Sequence, residues 1–351
     1  MSALAAIVPA RDAAGTLPDC LSGLAGAGFQ PGEVIVVDDG STDGTVALAR
    51  AAGARVVAGG GNGAAAARNA GVRATDADLL LFVDADVVVK PGTRSRVEAF
   101  FAAHPQHAAV FGAYCPHPPA PGLVSRARNL LHRHVHLAGA GEAETFWTGL
   151  GAVRRADFEA VGGFDPAQRM MEDVAFGMAL RRAGRRIAID PALEGTHLKR
   201  WTLRSMIRTD LLDRALPWSR LILSGGAGDT LNVSPDGRRS VVAAGAGALA
   251  VAAIPFAPVV ALAGLVGAGA VLVWANRDFL KGLLRTRGLA FAGGAAGMLW
   301  FHFLAGGLGY AWVRIVERPR RTGPSAHSAA TRPLAFPPPD PDPEEPRSNS
   351  S

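Results

Sequence analysis

Short apolar runs alternate with amphipathic stretches along the first 90 residues. We predict strands at LAAIVPA, EVIVVDDGS, ARVVAGG and DLLLFVDAD, and helices at GTLPDCLSGLAGA, TDGTVALARAAGA and residues 64–74. Apolar strands that alternate with helices are typical of a parallel sheet covered on both faces. The sequence therefore predicts an α/β domain with a mostly parallel sheet, whose functional groups lie at the carboxyl ends of the strands.

Two long uncharged segments follow this domain. Residues 241–275 are too long for one transmembrane helix, and Pro255 and Pro258 predict a hairpin of two helices, because proline interrupts the helical hydrogen-bond ladder. Residues 288–313 contain one histidine and no formal charge, and they predict a further span. We expect two or four crossings, since three would leave the arginines of the tail on the outer side.

Basic residues flank the uncharged segments. Arg238 and Arg239 precede the first, and residues 276–287 form a basic loop before the second. The positive-inside rule places both in the cytoplasm. The N-terminal stretch lacks a basic leader, so we expect no signal peptide. The sequence thus predicts a multi-pass protein of the inner or plasma membrane with a cytoplasmic N-terminal domain.

The composition agrees with a membrane-spanning part, and the distribution of charge indicates which kind of partner the chain binds. The chain has 49% hydrophobic and 19% charged residues, a net charge of +6 and a pI near 10.1. Its arginines lie around apolar segments with few aromatics between them, so an anionic membrane surface or a phosphorylated substrate fits better than nucleic acid. Cys20 and Cys115 are too few for a disulfide framework or a zinc site, and we expect buried thiols.

These patterns divide the chain into segments. We expect two halves of a catalytic domain, a linker, the two membrane segments with the basic loop between them, and a disordered Pro-rich tail. The expected ranges are 1–110, 111–225, 226–240, 241–275, 276–287, 288–313 and 314–351.

Acidic residues follow two of the predicted strands. Asp38 and Asp39 precede a turn and a helix, for which Ser41 or Thr42 is the expected cap. Asp84 and Asp86 form a DxD motif, and two carboxylates so close require a compensating cation or open water. Oxygen ligands select Mg²⁺ or Mn²⁺, which predicts a divalent metal site. A purely structural turn is the alternative at both places.

Three further motifs carry polar groups that suit catalysis. The glycine-rich stretch 59–71 enters a helix that carries Arg68, a suitable cradle for phosphates. Glu172 and Asp173 begin a helix, whose N-terminus should hold a carboxylate ionised, so that either a general base or a dipole partner fits. His132 and His136 lie one helical turn apart without a nearby Glu or Cys, so we expect an interfacial or acceptor-facing helix there.

Taken in order, these motifs resemble the family 2 glycosyltransferases of the GT-A fold. The similarity runs over about the first 220 residues, through AIVPARD, VVDDGSTDGT, AAARNAG, FVDAD, FWTGLGAVRRADFEAVGGFDP, MEDVAFGMALRRAG and HLKRW. It implies an inverting, metal-dependent enzyme that moves a sugar from a nucleotide-diphosphate sugar to a lipid-linked or glycolipid acceptor. A catalytically inactive nucleotide-sugar-binding scaffold is the alternative, although none of its carboxylates is missing.

The resemblance also implies a role for individual residues. Asp173 would be the catalytic base, with Glu172 beside it, and Arg200 would stabilise the leaving diphosphate. The nucleotide-sugar would be held by Pro9, Asp38, Asp39, Arg68, Asp84 and Trp201, and the metal by Asp84, Asp86 and His197.

The HLKRW segment departs from the family's processive members. His197 stands where the QxxRW motif of processive polysaccharide synthases has Gln, which weakens that assignment. Two alternatives stay open for each neighbour: His197 is a metal or phosphate contact or an ordinary loop histidine, and Trp201 stacks on a sugar or packs under the site. PARD replaces an Asn-Glu pair of the family, which leaves the role of Asp12 open.

Overall fold

The structure, a computed structural model, describes residues 3–223 and 234–317. Residues 226–233 of the expected linker and residues 318–351 of the expected tail lie outside the described residues.

The described chain contains one sheet of nine strands. The strands run in the order β3-β2-β1-β4-β8-β6-β9-β5, and β7 pairs with β9 beside this path. The first four in this order are mutually parallel, as predicted. Three others run against their neighbours: β8 between β4 and β6, and β5 and β7 along β9. Their bounds are β1 Leu4–Ala10, β2 Val34–Asp38, β3 Arg55–Ala58, β4 Leu79–Val83, β5 Val87–Val89, β6 His107–Tyr114, β7 Gly141–Ala143, β8 Leu150–Arg154 and β9 Arg186–His197.

Helices cover both faces of the sheet and continue beyond it. A wide π-helical turn, Thr209–Ala215, joins α8 to α9, and another, Val313–Glu317, extends α13. The helices are α1 Leu17–Gly26, α2 Thr45–Ala51, α3 Ala64–Arg73, α4 Thr93–Ala103, α5 Leu123–Ala138, α6 Arg155–Ala160, α7 Glu172–Arg182, α8 Leu203–Arg208, α9 Leu216–Leu223, α10 Pro235–Ala253, α11 Pro258–Ala275, α12 Arg277–Arg287 and α13 Leu289–Trp312.

Successive residues of the central strand β1 enter different cores. Leu4, Ala6 and Val8 pack into the cluster under α1 and α4. Ala5 and Ile7 pack into a second cluster on the opposite face, which is rich in phenylalanine. A strand buried on both faces needs apolar residues at every position. This is why the strand pattern was continuous, and the predicted mostly parallel α/β fold is confirmed.

The cap predicted for the second helix is wrong. Helix α2 begins at Thr45, and the carboxylate of Asp43 accepts a hydrogen bond from the Thr45 backbone N–H at 3.0 Å. Ser41 and Thr42 are instead tied to Asp12, whose Oδ1 accepts from the Thr42 N–H at 2.8 Å and whose own N–H donates to Ser41 Oγ at 3.0 Å. Asp12 therefore clamps the loop after β1 to the loop after β2.

The first apolar segment forms the predicted pair of helices. α10 and α11 pack against each other, and residues 254–257 separate them, with Pro258 as the first residue of α11. Helices Pro258–Ala275 and Leu289–Glu317 are long and apolar enough to cross a membrane, by length and composition. The side chains of α11 are largely exposed, whereas one side of α13 packs against α5, α8 and α9.

Small residues let α13 approach α5 and the turn before α9 closely. A Cβ at Gly294 would overlap the Leu123 side chain of α5, and one at Gly309 would lie 2.6 Å from the Ala215 Cβ. Between these points Leu299 packs near Ala127 in a shared apolar cluster. The contact thus runs along α13 from its first turns to its last.

Candidate functional site

The two carboxylates of the DxD motif turn to different partners. Asp84 follows the buried strand β4, and its Oδ1 accepts a hydrogen bond from Arg68 Nη2 at 2.8 Å. Asp86 precedes β5, where Val87 pairs with His197 across the sheet, and its Oδ2 lies 3.4 Å from His197 Nε2. Each carboxylate thus has its own basic partner, and the structure brings Asp86 to His197 but not Asp84.

His197 is held in a fixed orientation. It is buried at the end of β9, and its ring stacks on Tyr114 at 4.4 Å with an angle of 5° between the planes. Its Nδ1 lies 2.6 Å from Asn129 Oδ1, while Asn129 Nδ2 donates to the Ser125 carbonyl oxygen. Since Oδ1 is an acceptor, Nδ1 carries a hydrogen, and the ring is held with Nε2 facing Asp86. His197 is therefore not an ordinary loop histidine.

The Asp86 and His197 pair fits a divalent metal that is completed by phosphate oxygens. In residues 3–223 and 234–317 no three His, Cys, Asp or Glu are grouped to hold a metal by themselves. Magnesium usually takes only one or two protein carboxylates and keeps its other positions for water and phosphate. Burial raises the pKa of Asp86, but the hydrogen bond with His197 and the charges of His197 and Lys199 outweigh it and hold that pKa below its ordinary value.

Arg68 joins the DxD motif to the beginning of α7. Arg68 is 4% exposed, and besides Asp84 its guanidinium contacts Glu172 Oε1 through Nη1 at 2.5 Å. Both terminal nitrogens therefore face carboxylates, where the resemblance implied a diphosphate. Burial raises the pKa of Asp84 despite this contact, with Asp86 and Glu172 adding to the rise.

Asp173 lies in the first turn of α7 with a raised pKa. Its Oδ2 accepts from the Thr148 N–H at 3.4 Å and its Oδ1 from the Val174 N–H at 2.8 Å. Burial and the neighbouring Glu172 raise the pKa of Asp173 to about 7, with Arg68 opposing. The expectation that the helix N-terminus holds this carboxylate fully ionised is wrong, because desolvation and like charge outweigh the dipole. A pKa near 7 suits a general base.

Backbone strain is concentrated at this crevice. Met171, directly before the two acids, has φ 63°, and Asp12 has φ 48°. They are the non-glycine residues with positive φ in the part of the chain that the structure describes. Such conformations cost about 1–3 kcal/mol each and persist at sites that need a particular side-chain direction.

Asp39 carries an unsatisfied acceptor beside the glycine-rich loop. Its Oδ2 accepts from the Gly63 N–H at 3.0 Å, while its buried Oδ1 has no partner among the described residues. A Cβ on Gly59 would lie 3.2 Å from that oxygen, so the glycine leaves it room. Asp38 Oδ1 accepts from the Ser41 N–H at 3.0 Å, and Pro9 lies partly exposed in β1 beside Val37. Asp39 is the member of this group that suits an N–H of a nucleobase.

The residues of the HLKRW segment differ in their exposure and in their contacts. Arg200 is exposed and forms no hydrogen bond or ion pair with the described residues, so the structure does not pair it with the carboxylates. Trp201 is 7% exposed, with Lys199 Nζ 4.4 Å and Arg128 Cζ 5.6 Å from its ring centre. Trp201 therefore packs under the site, and its ring is not open for stacking on a sugar.

Helix α5 contacts the aromatic residues near the site with one face and helix α12 with another. His132 stacks near Tyr114 and Trp147 at 4.5 and 4.9 Å, and burial lowers the pKa of His136 to about 4. On another side His134 lies 5.2 Å from the Phe279 ring of α12. α5 thus contacts α12 on one side, and the interfacial or acceptor-facing role expected for it stays a prediction.

Several residues at the site had no individual signal in the sequence. Asn129, Tyr114 and Thr148 reach His197 and Asp173 from elements far away in the chain. Thr148 stands in the FWTGLGAV segment that contributed to the family resemblance, so that motif alone pointed to it. Both cysteines are free and buried, as expected.

Known proteins are similar to this chain in sequence and in fold. Residues 5–161 match the profile of glycosyl transferase family 2. The O-antigen chain rhamnosyltransferase RfbN of Salmonella typhimurium is 25% identical over 244 residues, which are 64% of this chain and 76% of that protein. The mannosyltransferase PcManGT from Pyrobaculum calidifontis, solved with GDP-Man and Mn²⁺, superposes with a TM-score of 0.55 at 19% identity, over 89% of this chain and 87% of that one. The chain thus has the GT-A fold and is a nucleotide-sugar-dependent glycosyltransferase, and its residues 5–161 are similar to glycosyl transferase family 2.

Proposed function

We propose that the enzyme moves a sugar, with inversion, from a nucleotide-diphosphate sugar to a lipid-linked or membrane-associated acceptor, and that it depends on Mg²⁺ or Mn²⁺. The observation that carries the proposal is the His197 ring, fixed by Asn129 and Tyr114 with Nε2 facing Asp86. The metal would supply positive charge to the leaving diphosphate. PcManGT, which shares the fold, was solved with a nucleotide-sugar and Mn²⁺.

Asp173 is the proposed base. Of the two adjacent acids, Glu172 is bound by Arg68, whereas among the described residues Asp173 accepts hydrogen bonds from backbone N–H groups alone. The acceptor hydroxyl gives its proton to Asp173 as its oxygen attacks the anomeric carbon on the side opposite the diphosphate. One base without a protein nucleophile gives inversion of configuration.

The nucleotide is proposed to lie across the ends of β1, β2 and β4. Asp39 Oδ1, which is buried without a partner among the described residues, accepts a hydrogen bond from an N–H of the nucleobase. Asp84 is proposed to bind the ribose, and the hydrogen bond from Arg68 orients the Asp84 carboxylate. Arg200 is exposed and unpaired among the described residues, so it is available for the leaving diphosphate.

The acceptor class follows from the C-terminal helices. α11 exposes Val259, Val260, Leu262 and Val266, each by more than 60%. Contiguous apolar surface of this extent marks a membrane or a partner. We place α11 and α13 in the inner or plasma membrane, with the catalytic part in the cytoplasm, because the flanking arginines favour that side. A lipid-linked acceptor would lie in the same membrane, so these helices would hold the enzyme beside its substrate.

A donor screen on the purified protein in lipid tests the proposal. We expect release of free nucleoside diphosphate from one of the UDP-, GDP- or dTDP-sugars, with loss of activity in chelator. Asp86→Asn should remove most activity and its dependence on divalent ions while the protein stays folded. Full activity in chelator would exclude the metal. Donor binding without any release would instead favour the inactive scaffold, and long polymeric products a processive synthase.

A further inference from the structure

Helix α5 carries a buried asparagine next to the imidazole that faces the DxD motif. Asn129 is 1% exposed and lies inside the helix, although asparagine is a weak helix former. Burying an amide is unfavourable unless its oxygen and its nitrogen both find partners. Asn129 has both, since Oδ1 lies 2.6 Å from His197 Nδ1 and Nδ2 donates to the Ser125 carbonyl oxygen at 3.1 Å. Its surroundings are therefore those of a hydrogen-bonding group.

The backbone around His197 is fixed independently of Asn129. Val87 pairs with His197 between β5 and β9, and the Leu198 N–H donates to the Asp86 carbonyl oxygen at 2.8 Å. The sheet thus holds the backbones of Asp86 and His197 next to each other. The rotation of the imidazole about its own side-chain bonds is not set by these contacts.

Tyr114 restricts the plane of the imidazole but not its direction. The two rings are stacked with their centres 4.4 Å apart and 5° between their planes. Turning the imidazole by 180° about its Cβ–Cγ bond keeps this plane, so the stacking is nearly the same in both orientations. The turn exchanges Nδ1 with Cδ2 and Nε2 with Cε1. In the turned ring a carbon atom would face Asp86, and carbon does not bind a metal ion.

Asn129 distinguishes the two orientations of the ring. Its Oδ1 accepts a hydrogen bond from Nδ1–H of His197, and it would meet a C–H group if the ring were turned. The amide itself cannot reverse without loss, because the Ser125 carbonyl oxygen needs a donor and Nδ2 supplies it. The direction of the amide thus sets the direction of the imidazole, whose Nε2 lies 3.4 Å from Asp86 Oδ2.

We propose that Asn129 is a positioning residue for the divalent metal, and that it acts by keeping His197 Nε2 directed at Asp86, where the metal would bind. A histidine that binds a metal usually donates its other ring N–H to a fixed acceptor, and loss of that acceptor weakens metal binding about 10–100-fold. The proposal rests on the proposed function, which supplies the metal. It makes the affinity for the metal depend on a residue of α5 that does not bind the ion itself.

The test measures Mn²⁺ binding to the purified full chain in lipid, in the presence of UDP, GDP or dTDP in turn. Bound Mn²⁺ is followed by the relaxation rate of water protons, which the ion enhances more on a large particle than on a free nucleotide. Asn129→Leu removes both polar contacts at a similar volume, and the dissociation constant for Mn²⁺ should rise about 10–100-fold. Asn129→Asp keeps an acceptor for Nδ1–H, so its dissociation constant should stay within about threefold of the wild type.

Ser125→Ala is the matched control. The Ser125 hydroxyl accepts from the Trp201 N–H at 2.8 Å and donates to the Trp201 carbonyl oxygen at 3.1 Å, so this variant also loses buried hydrogen bonds between α5 and the HLKRW segment. It keeps the backbone carbonyl oxygen that holds the Asn129 amide. Its unfolding temperature should fall as that of Asn129→Leu does, while its dissociation constant for Mn²⁺ stays within about threefold of the wild type.

Turnover measured against Mn²⁺ concentration separates positioning from damage to the fold. Asn129→Leu should need more Mn²⁺ for half-maximal turnover, and saturating Mn²⁺ should restore kcat to within about threefold of the wild type, since the bound metal then holds the ring itself. A kcat that stays low at saturating Mn²⁺ would indicate a structural role and overturn the proposal.

The binding results separate this proposal from the proposed function. Unchanged Mn²⁺ affinity in Asn129→Leu overturns the proposal and leaves the proposed function standing, and so does an equal loss of affinity in Ser125→Ala. If Asn129→Leu does not fold, Asn129→Asp decides: affinity close to that of the wild type supports the proposal, and a loss of tenfold or more, about the smallest loss expected of Asn129→Leu, overturns it. A wild type that neither binds Mn²⁺ nor needs a divalent ion for turnover overturns the metal of the proposed function as well.

Discussion

Glu172 and Asp173 are adjacent carboxylates whose surroundings give them different properties. Glu172 is bound by the buried guanidinium of Arg68, while Asp173 is buried without a cation of its own and has a pKa of about 7. Consecutive side chains of a helix point about 100° apart, so one of them can face Arg68 and the other the acceptor. The charge of Glu172 then acts on Asp173 from the side and adjusts its basicity.

The first prediction concerns that adjustment. Glu172→Gln removes a negative charge that raises the pKa of Asp173, so the ionised base should persist to lower pH. The acid limb of kcat/KM against pH, expected near 7 in the wild type, should move to lower pH in the variant. Glu159→Gln changes an exposed carboxylate that pairs with Arg155, and its profile should not move. An acid limb that moves upward in Glu172→Gln would contradict the assignment.

The second prediction concerns the base itself. Asp173→Asn keeps an oxygen for the Thr148 N–H but cannot take a proton, so turnover should fall by about 10² or more. Donor affinity, measured separately by equilibrium binding, should stay within about twofold. If donor affinity collapsed, or if Glu172→Gln reduced turnover more than Asp173→Asn, the roles of the two acids would have to be exchanged.

The position of helix α7 depends on a close approach between Gly177 and the segment before β8. A Cβ on Gly177 would overlap backbone atoms of Thr145 and Phe146, and Asp173 lies one turn earlier on the same helix. The same segment supplies the Thr148 N–H that Asp173 accepts. The helix and this segment therefore position the base together.

The third prediction follows from that approach. Gly177→Ala should push α7 from the Thr145–Phe146 backbone, with a loss of stability of about 1–3 kcal/mol and a lower kcat. Gly26→Ala is the control, because Gly26 ends α1 with nothing within 4 Å of an added Cβ. It should be neutral or slightly stabilising in thermal unfolding. Equal unfolding temperatures for the two variants would show that α7 can shift without cost.

The elements that were predictable are those with a local signal. β1 was predicted with its observed bounds, Leu4–Ala10, because its apolar run is continuous and ends before a loop. The short strands β5, β7 and β8 form by pairing with distant strands, and such pairing leaves little pattern in three to five residues. Likewise Asp86 was found from its DxD spacing, whereas Asn129 reaches His197 across 68 residues.

At the scale of the whole molecule, α12 connects the two proposed membrane helices. Its apolar residues Phe279, Leu280 and Leu283 are buried against α13 and α5, while Lys281 is exposed. Arg287 Nη2 donates to the Pro116 carbonyl oxygen at 3.4 Å, so the end of α12 touches the catalytic part. Under the proposed topology this helix lies on the cytoplasmic side.

The fourth prediction tests that side. A cysteine in place of Lys281 should not react with a membrane-impermeant maleimide in intact cells, and it should react once the inner face is opened. The background should be low, because Cys20 and Cys115 are buried. Labelling of Lys281→Cys in intact cells would reverse the orientation.

The glycine contacts at the two ends of α13 have a consequence for the length of the acceptor. Gly294 and Gly309 fix this helix to α5 and to the turn before α9 at points 15 residues, or about 22 Å, apart. A helix held at two such points cannot swing relative to the catalytic part. With α13 anchored in the bilayer as proposed, the crevice would stand at one height above the lipid headgroups. We expect the enzyme to be selective for acceptor length. Acceptors whose reactive hydroxyl lies one sugar nearer to the lipid, or one sugar farther from it, should react poorly.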